Sequence, residues 1–124
     1  MGERPNHFEI PVDDPDRAAA FYSSVFGWTI NAFPGSPSYY GMATTGDSNP
    51  GIDGALMQRE PGNEHTRITM GVPTIEEGAE KITAAGGKMT MGKTPIPGMG
   101  YFAIAEDTEG NSIGIFAVDP SATM

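Results

Sequence analysis

His7 and Glu9 stand two residues apart in a stretch, His7 to Val12, whose apolar members Phe8, Ile10 and Val12 alternate with the rest. A strand sends successive side chains to opposite faces. The apolar three should therefore meet a covering layer, leaving His7, Glu9 and Pro11 on the other face. A carboxylate so placed could act as a general base, which makes Glu9 the candidate catalytic residue, or it could hold a cationic group. The plainer reading pairs Glu9 with Arg67, so that both are satisfied without any ligand. His65 lies two residues before Arg67, the spacing of one strand face. His7, His65 and Glu9 thus form one conceivable metal donor set, beside the plainer reading of a solvated or hydrogen-bonded His7. The candidate ligand contacts are His7, Glu9, Arg67 and Tyr101.

Other residues have a plain reading next to a sharper one. Asp13, Asp14 and Asp16 look like a calcium run, but helix capping accounts for them better. Asp14 can cap free amides, Pro15 suits the first helical position, and Asp16 complements the positive end of the dipole. Trp28, Phe33, Tyr39 and Tyr40 read as core or dimer contacts, or as platforms for a planar ligand. Met57, Met70, Met89, Met91 and Met99 read as soft core packing, or as an adaptable pocket. The loop Pro95–Gly100 reads as a rim or lid. There is no phosphate loop, no nucleophile elbow and no cysteine-based metal spacing, since the chain has no cysteine. Gly-Met-Gly around Met99 is no nucleotide fingerprint, because no helix follows it.

These residues need elements to position them. After the strand His7–Val12 comes a predicted helix, Pro15–Phe26, with Ala18, Phe21, Tyr22, Val25 and Phe26 as its apolar stripe and Gly27 as its end. Three strand-like pieces follow: Trp28–Phe33, Tyr39–Thr44 and Asp53–Arg59. The order then repeats. Arg67–Val72 is a strand, and Thr74-Ile75-Glu76-Glu77 opens a helix predicted over Ile75–Ala85. Strands Lys88–Thr94, Tyr101–Glu106 and Ser112–Val118 complete the second half. Strand end to helix end runs Val12 to Gly27 in one half and Val72 to Gly86 in the other, spacings that differ by one residue. A repeat of about 60 residues is the most informative feature of the chain.

The chain has 124 residues, a length for one domain, with modules over about 6–60 and 66–119. Sixteen acidic residues against seven basic ones give a formal charge of −9. That field repels phosphate backbones and anionic lipid, so neither nucleic acid nor membrane is an expected partner. The N-terminal residues hold no long apolar stretch, and with no cysteine present a cytoplasmic location is expected.

The segment HFEIPVDDPDRAAAFYSSVFGW resembles the opening of the vicinal oxygen chelate superfamily, and AEDTEGNSIGIFAVD resembles its last hairpin. The resemblance implies an α+β glyoxalase-like fold. Two βαβββ modules would form a curved, eight-stranded mixed sheet cup with two main helices. Enzymes of that family hold a divalent metal with four side chains from four strands. The resemblance puts the first ligand at His7. It puts the second in Gly54-Ala55-Leu56-Met57, which offers no donor. The third position is Arg67, which never deprotonates to bind a metal, and the fourth is Gly114, which has no side chain. Where the glutathione-using branch carries a basic residue, this chain has Pro11, against a glutathione-dependent glyoxalase.

The expected function is therefore binding of a small organic molecule in the cup, with a degenerate metal site and no cofactor. The alternative is a metal-dependent lyase, isomerase or dioxygenase using a shifted set around His7 and His65. A third class is a noncatalytic association module. A homodimer is expected, because each module leaves an exposed sheet edge.

Overall fold

The computed structural model describes residues 2–123. The elements follow the expected repeat: β1 (Pro5–Val12), α1 (Pro15–Phe26), β2 (Thr29–Ala32), β3 (Tyr40–Thr44) and β4 (Gly54–Gln58), then β5 (Arg67–Gly71), α2 (Ile75–Ala84), β6 (Lys88–Ile96), β7 (Gly100–Glu106) and β8 (Ser112–Val118). The first four strands pair in the order β2-β3-β4-β1 and the last four in the equivalent order β5-β8-β7-β6. In each module the first and last strands run parallel and the remaining pairs antiparallel. The described residues thus form the expected glyoxalase-like α+β architecture, with eight strands and two helices among them. Among the described residues no helix is long and apolar enough to cross a membrane.

The chain divides into two compact units, His7–Arg67 and the stretch from Ile68 onward together with the segment ending at Asn6. In the first unit the Asp14 carboxylate accepts the Arg17 amide at 3.1 Å, and Pro15 opens α1. Gly27 takes the left-handed conformation at φ 74°, which lets its amide reach the Ser23 carbonyl at 3.0 Å and stop the helix. The core of this unit is Val12, Ala43, Ala55, Leu56 and Met57.

The helix stripe departs from expectation. No residue of α1 is buried, and Phe21, Val25 and Phe26 are 54–59% exposed. Tyr22 is the residue that packs inward, stacked on Trp28 at 4.8 Å, while Phe8 meets the same indole at 5.3 Å. The indole fills the space between strand and helix, so the outer aromatics stay at the surface.

In the second unit Thr74 caps α2 by accepting the Glu77 amide at 3.1 Å. The helix ends at Ala84, one residue earlier than read, because the Gly87 amide turns back onto the Ile82 carbonyl at 2.8 Å. Ile75 packs with Ala103, Ile115 and Ala117, and Val72, Ile82, Met89 and Tyr101 close over them. Strand β6 runs on through Pro95 to Ile96, where the sequence suggested a loop. Pro95 pairs opposite Tyr101, which an edge strand permits because no further strand needs the missing N–H.

Candidate functional site

The rows of the first sheet bring the polar residues of β1 to one place. Glu9 pairs with Ala55, and Ala55 with Met42; Pro11 pairs with Met57, and Met57 with Tyr40. These rows share one face, so Tyr40 comes down diagonally onto Glu9. Its hydroxyl donates to Glu9 Oε2 at 2.6 Å. His7 lies one alternation earlier on β1, and its Nε2 is 2.8 Å from the Tyr40 oxygen. On the other side of the carboxylate, Arg67 donates Nε–H and Nη2–H to Glu9 Oε1 at 3.0 and 2.6 Å. Arg67 Nη2 also reaches Asn63 Oδ1 at 3.3 Å and lies 3.8 Å from Met57 Sδ. The turn that joins the Asn63 amide to the Glu60 carbonyl at 2.8 Å holds that asparagine in place.

The network fixes its own protons. Glu9 is charged against Arg67, so Tyr40 spends its single proton on Oε2. The tyrosine oxygen can then only accept from His7, which must carry hydrogen on Nε2 and leave Nδ1 as a lone-pair acceptor. Burial holds the His7 imidazole below its ordinary 6.5; the Glu9 charge pulls it upward, and Arg67 pushes it down again. The Tyr40 phenol is raised far above its usual value by burial, by the Glu9 charge and by its bond to that carboxylate. Proton transfer out of this tyrosine is closed at ordinary pH. Glu9 takes three bonds from its neighbours, so most of its acceptor capacity is committed within the chain.

His7, Glu9 and Arg67 thus come together, in the self-satisfied arrangement that was the plainer reading of Glu9. Tyr101 sits elsewhere. It packs in the second unit against the Ile75 core, with Lys93 Nζ 4.3 Å from its ring centre. His65 is exposed in a bend. Strand β5 begins only at Arg67, so alternation does not reach back to His65, and the shared face inferred from its spacing does not exist. The sequence reads Tyr40 as a core or dimer contact or a stacking platform, not as a hydrogen-bond partner of Glu9, and does not single out Asn63 at all. Alternation along β3 could have flagged Tyr40, whereas nothing in the sequence marks Asn63, which is delivered by a turn.

The donor set does not fit a metal. His7 Nε2 is engaged by Tyr40, and the β4 face offers Ala55 and the thioether of Met57. Arg67 presents a cation locked to Glu9. In the second unit a Cβ on Gly114 would stand 2.5 Å from Thr69 Oγ1, so the threonine hydroxyl occupies the room a side chain would need. Among the described residues no three His, Cys, Asp or Glu side chains group as a metal would require. A surface hollow of about 540 Å³ is not at this network. It lies in the second unit, between Arg4 and Asn6 on one side and Val72 and Phe116 on the other. The hydrogen-bonded cluster is the better candidate, because its groups are buried and chemically matched.

Comparisons with known proteins agree with the fold. Residues 4–45 match the family described as bleomycin resistance protein-like N-terminal. A glyoxylase-like domain-containing protein of Didymella fabae is 30% identical over 113 residues, spanning 86% of this chain and 88% of the relative. CFP32 of Mycobacterium tuberculosis, named for glyoxylase, is 32% identical over 112 residues; the match takes in 89% of this chain but 41% of that protein. This chain therefore spans about two fifths of the mycobacterial relatives it matches. Methylmalonyl-CoA epimerase of Streptomyces coelicolor, solved with 2-nitronate-propionyl-CoA, superposes with a TM-score of 0.67 at 15% identity, with both chains fully covered.

Proposed function

This chain belongs to the vicinal oxygen chelate superfamily, and on that premise we propose that it binds a small organic molecule at the His7–Tyr40–Glu9–Arg67 network without a resident metal. One observation carries the reading. Where the family's enzymes place a metal ligand, this chain places Arg67, 5% exposed and forked onto Glu9. A divalent ion beside that guanidinium would meet a fixed positive charge and one engaged imidazole, whereas catalytic metal sites generally need three protein ligands. Relatives named as glyoxylases and an epimerase solved with a coenzyme A ester support a small-molecule ligand as the class. The partner we propose besides the ligand is a second copy of the chain.

Native mass spectrometry and elemental analysis of freshly purified protein test this together. The expected result is a dimer with less than one equivalent of zinc, nickel, iron or manganese, and a melting temperature that EDTA leaves unchanged. Near one equivalent of metal, lost together with stability in His7→Ala, would overturn the reading in favour of a metal enzyme.

A further inference from the structure

On α1 the residues left at the surface follow a pattern. Arg17, Phe21 and Val25 recur every four residues, so they stand in one row along the helix. All three are exposed, Phe21 and Val25 by more than half. The Phe26 ring lies 6.5 Å from that of Phe21, and Tyr22 and Trp28 continue the patch inward. Beside the row is a hollow of about 380 Å³, walled by Arg17, Ala18 and Phe21 on the helix and by Ile10, Pro11 and Arg59 across from it. A protruding patch and a hollow thus share one helix.

Charge decides what can cover them. Two copies of a chain with a formal charge of −9 repel one another over most of their surfaces. From Ala18 to Gly46, however, the sequence carries no Asp, Glu, Lys, Arg or His, so the patch is where a second copy meets least repulsion. The ends of α1 are also complementary. Its last turn holds no basic residue to offset the negative end of the dipole, while the first turn presents Arg17, 74% exposed and only 4.0 Å from Asp14 at its nearest. The outer strands are poorer docking edges. β2 has four residues, and β6 slips register twice and carries Pro95.

Resting on the second copy proposed above as partner, we propose that two chains pair through α1, antiparallel about a two-fold axis at Phe21. The row then packs against its own copy as one four-residue ridge beside another. Phe21 meets Phe21 at the axis. Arg17 lies opposite the second copy's Val25 and beside its Phe26 ring, and those two side chains close the hollow, once in each direction. A standard interface takes about 800 Å² from each partner, roughly a tenth of the 7729 Å² this chain exposes. The 12 residues of α1 reach only about 18 Å, so the walls of the hollow must join the contact. A face of this size suits a dissociation constant on the order of 10 µM.

Sedimentation velocity between about 1 and 200 µM makes the test, and the wild type should pass from monomer to dimer across that range. Phe21→Glu sets two carboxylates against each other at the axis and should weaken dimerisation at least about a hundredfold. Its far-UV circular dichroism should stay that of the wild type, because the ring it replaces is more than half exposed. Phe21→Cys gives a chain without cysteine a single thiol. Helices packed about 8–10 Å apart bring facing Cα atoms within disulfide reach, so mild oxidation should link this variant into a covalent dimer. Glu109→Cys, on a turn of the second unit, should stay unlinked. A wild-type dimer that survives Phe21→Glu, or one in which Phe21→Cys does not cross-link, overturns this face and leaves the second copy as partner. A wild type that remains monomeric at about 200 µM overturns both. If Phe21→Glu fails to fold, the cross-linking of Phe21→Cys decides.

Discussion

Arg67 opens β5 and Glu9 lies in the middle of β1, fifty-eight residues earlier, yet the guanidinium closes on one carboxylate oxygen through two donors at 3.0 and 2.6 Å. The acid is 15% exposed and the base 5%, so the pair is largely shielded from water. A pair so placed gains little over an apolar filling of equal volume, but losing one partner strands a charge.

Arg67→Met should therefore cost about 3 kcal/mol of stability in urea unfolding, at the lower end of what breaking a buried pair costs. The double variant Glu9→Gln with Arg67→Met should recover most of that loss and lie within about 1 kcal/mol of wild type. Glu9→Gln keeps an acceptor for Tyr40 while removing the charge. A double variant as unstable as Arg67→Met alone would show that packing, rather than the stranded charge, sets the cost.

Tyr40→Phe removes the one group that joins His7 to Glu9. The His7 Nε2–H and Glu9 Oε2 both lose their partner, so the expected cost is about 1–3 kcal/mol. The fold should persist, because Tyr40 keeps its ring contact with Phe33 at 6.4 Å in the phenylalanine variant. A variant as stable as wild type would mean that water takes over both bonds and that the relay is not a structural element.

Acid stability follows from His7. Its folded value is lowered from 6.5, burial being the main cause, so the unfolded chain binds the proton more readily than the folded one. Stability from this group is complete above the unfolded value and is lost as pH falls through the folded value. Unfolding free energy should decline below about pH 6.5, with a slope no steeper than about 1.4 kcal/mol per pH unit for one proton. The groups that face this imidazole charge are Glu9, Arg67 and Asp53, with Tyr40 as its hydrogen-bond partner. His7→Gln should flatten the profile in that window, measured by urea melts across pH; an unchanged slope would assign the acid sensitivity to the carboxylates.

The sequence carried the fold further than it carried the site. Capping residues and glycines set both helices nearly to the residue, since Asp14, Gly27 and Thr74 act locally. Alternation placed His7 and Glu9 on one face for the same reason. What the pattern could not deliver depended on tertiary placement. The α1 stripe reads as buried, but Trp28 fills the space beneath it and leaves Phe21, Val25 and Phe26 outside. His65 reads as a strand residue, but its strand starts two positions later, at Arg67. Tyr40 and Asn63 complete the network through sheet register and a turn; alternation along β3 marks the face of Tyr40 but not its partner, and nothing marks Asn63.

The position where the family places its fourth metal ligand offers the last test. Gly114 sits opposite Thr69 in the parallel pair of β5 and β8, and an added Cβ would come within 2.5 Å of Thr69 Oγ1 and 3.4 Å of Cγ2. The backbone there is held by both neighbouring strands, so the clash cannot be relieved by sliding one of them. Gly114→Ala should therefore cost about 1–3 kcal/mol, the usual range for overpacking a dense site. Thr69→Ala removes the hydroxyl and methyl that the new carbon meets, so the double variant should be more stable than the sum of its parts, by about 1 kcal/mol in a double-mutant cycle. Gly114→Glu alone should be destabilised at least as much as Gly114→Ala, because its side chain is larger than the single carbon that already meets Thr69. A Gly114→Ala variant as stable as wild type in urea unfolding would show that the Thr69 side chain turns away from the new carbon at no cost.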